Sequence, residues 1–327
     1  MPDKALAGYK VVSLGHHIAG PYCAKLLAGL GAEVIKVEKP GEGDPARRVG
    51  SFYQDDPHAE KSLLFLHLNT GKKSITLNLK TELGKKIFKE LVSEADILVE
   101  NFSPRVMPSL ALDYRTLERI NPRLVMASIS NFGQTGPYRD YKASDLTLMA
   151  MGGLMWCHGE PDREPLTFPG WQAQYMGGCH GFYGSMAALY HAQMTGEGQQ
   201  VDVSIMECTG AVSESYDIRA QITGELLGRT GNRMHGYAAW GLYPCKDGYV
   251  GLVYATAARW MQMAKMMEQP ALADIEFFSQ RRGRADEIDA YMLPWLMEHT
   301  KDEIYHIGQA VMRPRLPPCR FGARRIS

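Results

Sequence analysis

Two histidines, His16 and His17, stand one glycine beyond a short apolar run, Lys10 to Leu14. Imidazoles at the C-terminal end of a parallel strand stand on the edge where open α/β sheets bind ligands, placed to hydrogen-bond a substrate or move a proton. Taken singly, each is as well explained as a packed histidine satisfying a backbone carbonyl. Glu38 ends the next apolar run, EVIKV, where the ribose-binding acid of a dinucleotide site would stand. The loop between the two runs is GHHIAGP, with Gly15 and Gly20 but without GxGxxG, so the close approach that a pyrophosphate needs is not encoded and NAD is disfavoured. Two further glycine-bearing loops can lie against a ligand or simply turn the chain: Gly41, Gly43 and Gly50 with Arg47 and Arg48, and NFGQTGPY with Gly133 and Gly136. Cys179 beside His180 offers a thiol and a base, but adjacent residues on a helix point in different directions and make no dyad. The acids in reach of loop chemistry are Asp145 in KASD and Glu160, Asp162 and Glu164 in GEPDREP. Asp145 suits equally a capping role at the start of the helix DLTLMAMGG.

The elements that must position these groups alternate between β-branched runs and helical patterns. Lys10 to Leu14 reads as a buried strand, Tyr22 to Gly29 as a helix and Glu33 to Val37 as the next strand. Ser74 to Leu79 reads as another strand, and Leu83, Ile87 and Leu91 make an apolar stripe at helical spacing. Ile97 to Val99 and Leu124 to Ser130 complete the set. This order predicts an α/β, Rossmann-like fold with a mainly parallel sheet flanked by helices. At 327 residues and 45% hydrophobic content, the chain can bury one or two cores. Lys+Arg and Asp+Glu balance at 36 each, which gives no broad electrostatic case for nucleic acid or an anionic membrane. No apolar run approaches a membrane span and the N-terminus lacks a signal-peptide core, so a cytoplasmic location is expected. The six cysteines show no CxxC pairs, and neither a disulfide framework nor a metal site is expected.

Several blocks in order resemble the family III CoA-transferases, the group that includes formyl-CoA transferase, carnitine CoA-transferase and methylacyl-CoA racemase. They are GYKVVSLGHHIAGPYCAKLLAGLGAEVIKVEKPGEGDPAR, LNTGKKSITLNLKTELGKK, ADILVENFSPRVM, LDYRTLERINPRLVMASISNFGQTGPYRDYKASD and TGEGQQVDVSIMEC. Further on, YPCKDGYVGL resembles the start of the family's second domain. The resemblance runs over roughly residues 8 to 310 and implies a large CoA-binding domain at 1–215 and a smaller α+β domain at 216–310. It further implies coenzyme A or acyl-CoA as substrate with no permanently bound cofactor, a carboxylic acid as co-substrate, and an interlocked dimer, whether of like chains or with an aspartate-bearing homologue.

CoA carries a flat adenine, phosphates and a thin pantetheine arm, so its site needs cations at one end and a narrow neutral channel at the other. By resemblance His16, His17 and Ala19 lie near the thioester, Lys39 near the nucleotide, and Asn101 with Phe102 at a strand end. Arg105, Lys142, Lys72 and Lys73 are phosphate candidates, although the family's arginine usually follows the Asn-Phe pair directly, where this chain has Ser103. Gly133 and Gly136 are implied to form the loop beside the thioester. Met151, Leu154, Met155, Trp156 and Phe168 are candidates for an acyl pocket or for core.

In the family a carboxylate attacks the acyl-CoA carbonyl, giving a mixed anhydride and then an enzyme-bound thioester. Counting back from TGEGQ puts Gln174 at that position. A neutral amide forms no anhydride, although it can donate a hydrogen bond. Asp145 is then the acid with the best claim to stand in. The racemase branch needs a His–Asp pair, and Ser144 and Gln174 occupy the two positions. Three readings follow: a CoA-transferase that works through a variant mechanism or as the non-nucleophilic subunit, a silent acyl-CoA-binding protein, and an acyl-CoA racemase or lyase. The tail VMRPRLPPCRFGARRIS breaks from the helical pattern before it, at the point where the family returns to the large domain, so that return segment is expected to be missing.

Overall fold

The computed structural model describes residues 4–213 and 216–311. The Arg- and Pro-rich tail, 312–327, lies outside the described residues. The described residues form two compact units: 4–156 with 167–225, and 157–166 with 226–311. Helix α9 (Tyr216–Thr223) therefore stays with the large unit, and the division comes after Glu225 rather than at 215. The GEPDREP loop, with Glu160, Asp162 and Glu164, belongs to the second unit. It is tied there by the Gly231 N–H on the Gly159 carbonyl and by Arg229 Nε on the Glu160 carbonyl, at 3.1 and 3.0 Å.

The large unit is built on a six-stranded, wholly parallel sheet: β1 (Lys10–Ser13), β2 (Glu33–Glu38), β3 (Lys72–Thr76), β4 (Ile97–Glu100), β5 (Val125–Ser130) and β6 (Gln199–Ser204). Their spatial order is β3-β2-β1-β4-β5-β6. This is the doubly wound arrangement, with the order reversing between β1 and β4. Side chains alternate through the sheet: Ile97 and Val99 enter the core under α1 (Ala19–Gly29) and α7 (Gln172–Thr195), and Leu98 enters the core with Phe88 of α3 (Glu82–Ser93). Burial on both faces explains why the central strands β1, β4 and β5 read as apolar runs, while the edge strands β3 and β6 are polar and largely exposed.

Two boundaries differ from the sequence reading. Helix α1 starts at Ala19, before Tyr22, because Pro21 falls in the first turn, where its missing N–H has no intrahelical partner to lose. Strand β3 occupies Lys72–Thr76 rather than 74–79. The Leu77 N–H still reaches the Glu38 carbonyl, after which the chain leaves the ladder, and Leu77 and Leu79 continue the alternation by packing on the core as loop.

Helix α7 crosses the sheet face on a run of glycines. A Cβ on Gly178 would stand 2.7 Å from the Ala19 carbonyl oxygen, so this close approach to α1 admits no side chain. In the second unit, β7 (Trp240–Cys245) and β8 (Gly248–Val253) form an antiparallel hairpin, which is where YPCKDGYVGL falls. Its core gathers on Trp260, fully buried, whose Nε1 donates to the Leu272 carbonyl. No helix among the described residues is long and apolar enough to cross a membrane.

Candidate functional site

Gly15 to Gly20 make the turn from β1 into α1. A Cβ on Gly20 would meet Asn101 Oδ1 and the Gly15 Cα at 2.8 Å each. Asn101, just past β4, brackets His16: its Oδ1 accepts the His16 N–H at 2.8 Å and its Nδ2 donates to the His16 carbonyl at 2.9 Å. Phe102 stacks on the His16 ring with centroids 5.1 Å apart. Burial pushes the His16 imidazole below its usual pKa, and its Nδ1 has no hydrogen-bond partner. His17 takes a left-handed backbone, φ 64°, sparsely allowed for a residue with a Cβ. Its N–H is held by Asp44 Oδ1 at 2.9 Å, and its ring meets Trp171 edge-on at 5.2 Å. Trp171 is the residue before α7. One neighbourhood at the β1/β4 switch point thus contains His16, His17, Ala19, Asn101 and Phe102, beside the start of α7.

A cleft of about 510 Å³ opens at the C-terminal ends of β1 and β2 and the exit of β3, with Phe102 on its far wall. His16 and Lys39 line it as well. Arg48 of the glycine-bearing loop lines it too, whereas Asn78 and Lys80 were not among the expected ligands; both follow β3 once that strand ends at Thr76, so the shifted strand boundary hid them. Leu14, Val37, Leu77 and Leu79 give an apolar floor. Lys39 pairs with Glu42 at 2.5 Å and is mostly exposed, Arg48 Nη1 donates to the Glu42 carbonyl, and Lys80 makes no ion pair among the described residues. An apolar slot with cations at its rim fits a flat base next to phosphate groups.

Glu38 also borders the cleft but is fully engaged. Burial works against its charge, yet hydrogen bonds from Arg47, Ser74 Oγ and the Asp44 N–H outweigh it and hold the carboxyl down to about 2. Such a carboxylate has little capacity left for a ribose. Under the first loop, Lys36 Nζ donates to Asp44 Oδ2 and to the Gly15 carbonyl, each at 2.7 Å, with both side chains buried.

Gln174 lies in the first turn of α7, half-buried. No side chain caps that helix from its own N-cap residue, Trp171; Asp145 does so from α6 (Asp145–Met151), its Oδ1 accepting the Gln174 N–H at 3.1 Å, with the Ala173 N–H also bonded to the carboxyl. The alternative to a chemical role for Asp145 was capping of its own helix. Ser144 has that task instead, its Oγ accepting the Thr147 N–H. Burial raises the Asp145 pKa, and the two N–H groups oppose the rise. His180 Nδ1 bonds back to the Met176 carbonyl at 2.9 Å, which takes its ring away from any dyad with Cys179. Asp145→Ala is expected to lower stability by about 1–2 kcal/mol through loss of the cap, read as the midpoint of chemical denaturation. Asp145→Asn abolishing activity at unchanged stability would instead assign it chemistry.

Residues 6–315 match CoA-transferase family III. The chain belongs to that family. Among relatives of family III, the succinyl-CoA–D-citramalate CoA-transferase of Chloroflexus aurantiacus is 36% identical over 93% of this chain and 75% of its own length. The succinyl-CoA:(R)-benzylsuccinate CoA-transferase subunit BbsE of Thauera aromatica is also 36% identical, over 92% and 75%. A CAIB/BAIF family protein from Brucella suis superposes with a TM-score of 0.79 at 31% identity, covering 95% of this chain and 83% of its own.

Not every residue expected from the family III resemblance gathers at the cleft. Lys72 and Lys73 open β3, level with Val34 and Ile35, at the opposite end of the sheet. Lys72 Nζ is spent on the Pro21 carbonyl and Asn69 Oδ1, with burial pushing its pKa down to about 6, and Lys73 pairs with Glu33. Arg105 makes a two-pronged pair with Asp140, at 2.9 and 2.7 Å, and Lys142 is exposed. Gly133 is anchored beside Asp202, which accepts the Gln134 N–H, while Gly136 is exposed farther along the loop. Of the acyl-pocket candidates, Leu154 is buried in the core, and Met151, Trp156 and Phe168 are exposed.

Proposed function

We propose that this family III protein binds acyl-CoA, with the nucleotide in the cleft beside His16 and Phe102 and the thioester toward His17 and the start of α7. It takes part in moving CoA between carboxylic acids as the subunit that holds a thioester without supplying the carboxylate. The observation that carries this reading is Gln174, a neutral amide in the first turn of α7, next to a carboxylate already committed to capping that helix. Its amide N–H₂ is suited to a hydrogen bond with a thioester oxygen, and it is too weak a nucleophile to make the anhydride. The Thauera relative is itself named as a subunit, which favours an aspartate-bearing partner chain. Both relatives act with succinyl-CoA, so succinyl-CoA is the donor to try first.

The test is transfer of CoA from succinyl-CoA to free carboxylic acids, measured with the isolated chain and with the chain co-expressed with an aspartate-bearing homologue. The isolated chain is expected to bind CoA and to transfer none, and the pair to turn over. Transfer by the isolated chain that survives Gln174→Ala but not Asp145→Ala overturns the non-nucleophilic subunit. A silent acyl-CoA-binding protein is the outcome if the pair gains nothing over the homologue alone.

A further inference from the structure

A second cleft, of about 360 Å³, lies on the large unit away from the one just described. The segment after β4 divides them: Phe102, Val106 and Leu110 border the first cleft, Pro104 and Met107 the second. At the base of the second stands Glu100, 3% exposed, with no lysine or arginine paired to it among the described residues. A carboxyl buried without a cation is expensive to keep charged, and such groups concentrate at functional sites. Glu100 accepts the Phe102 N–H at 2.9 Å and the Ser128 hydroxyl, and Gln200 Nε2 donates to that same Ser128 Oγ at 2.9 Å. One Gln200 N–H remains to donate.

Two guanidinium groups border the same space. Arg115 makes no ion pair among the described residues, and Arg139 gives only its Nε, at 3.3 Å, to Asp140, which Arg105 already holds twice. The neighbouring acids are engaged. Asp113 caps α5 (Tyr114–Leu117) through Thr116, and Asp202 of β6 accepts the Gln134 N–H with both oxygens. Tyr114 is the remaining titratable neighbour. The cleft therefore offers two positive charges with unspent forked donors, amide donors from Gln134 and Gln200, and one buried carboxyl.

We propose that this cleft is a second binding site, one that takes a small carboxylate. Arg115 and Arg139 supply the charge, and the Glu100 carboxyl and the glutamine amides supply the remaining donors. A planar carboxylate matches the guanidinium fork, and pairs with a carboxylic acid O–H by a short charge-assisted hydrogen bond. Burial raises Glu100 to about 7, above the ordinary carboxyl value, with the Ser128 and Phe102 hydrogen bonds opposing the rise and Asp202 adding to it. Below that pH Glu100 is a neutral donor; above it, it is an anion that repels the ligand. Affinity for a carboxylate is therefore expected to fall as pH rises.

The probe is succinate, titrated calorimetrically into the full chain with the first cleft saturated by CoA. Wild type is expected to bind, with affinity falling roughly tenfold from pH 6 to pH 8, as the protonated fraction of a group titrating near 7 falls. Arg115→Gln with Arg139→Gln is expected to remove binding, and both are surface changes that leave the core intact. Glu100→Gln keeps a neutral donor and is expected to flatten the pH dependence while retaining the affinity seen at pH 6. Lys89→Gln, away from both clefts, is the control. No succinate heat at pH 6, binding unchanged in the double arginine variant, or affinity that rises with pH each overturns the proposal. These outcomes are independent of whether the chain transfers CoA.

Discussion

Gln174→Asp is expected to raise the rate of CoA transfer from succinyl-CoA by the isolated chain on the order of 10³-fold. Removing the nucleophilic serine of a protease costs about 10⁶ in turnover, and a carboxylate introduced into surroundings tuned for an amide should regain only part of such a loss. The surroundings nonetheless favour it. Residue 174 lies in the first turn of a 24-residue helix, where the backbone N–H groups and the helix dipole stabilise negative charge. The opposing effect is Asp145, whose Oδ1 already bonds the residue-174 N–H at 3.1 Å. Burial already disfavours the Asp145 charge, with the residue-174 and Ala173 N–H groups opposing that, and a second negative charge in the same turn adds to the cost. The decisive readout is a thioester adduct of CoA on the variant, trapped and located by mass spectrometry. A variant that binds CoA yet gives neither adduct nor transfer would sink both the assigned position of the nucleophile and the chemistry argued from it.

Lys36→Met is expected to destabilise the large unit by about 3–5 kcal/mol, the usual penalty for stranding one partner of a buried ion pair. Lys36 and Asp44 are 1% and 0% exposed, with 2.7 Å between Nζ and Oδ2. Asp44 also accepts the His17 and Ala46 N–H groups, and Lys36 holds the Gly15 carbonyl, so the pair joins both walls of the first cleft. CoA affinity should fall together with stability. The double variant Lys36→Met, Asp44→Leu should recover only part of the loss, since the His17 and Ala46 N–H groups lose their acceptor. Equilibrium denaturation of the two single variants and the double variant gives the coupling. A loss below about 1 kcal/mol for Lys36→Met would mean that water relaxes into the site and the pair is not the strut described.

The strand–helix alternation was legible because strands buried on both faces and helices buried on one leave different apolar periods. What periodicity misread was β3, where Leu77 and Leu79 extend the alternation into a loop that packs on the core. That single displacement moved the exit loop and hid Asn78 and Lys80 from the list of ligands. Lys72 and Lys73 stand at the N-terminal end of the strand under either boundary, and the register sets them level with Val34 and Ile35, away from the cleft. The pairing of Arg105 was not legible, because its partner, Asp140, is far away in sequence and only folding brings the two together.

Covalent chemistry needs a particular atom at a particular place, and the sequence alone determined which atom is absent: residue 174 is an amide whatever the fold does with it. Membership of family III and the α/β architecture were also written in the order of the sequence blocks. Tertiary structure alone decided what the neighbouring acids are for. Asp145 caps a helix far from it in sequence, Glu38 is neutralised by Arg47 and its neighbours, and Glu100 is buried with no ion pair among the described residues. Charge and proton affinity depend on burial and on partners distant along the chain, and neither exists until the chain has folded.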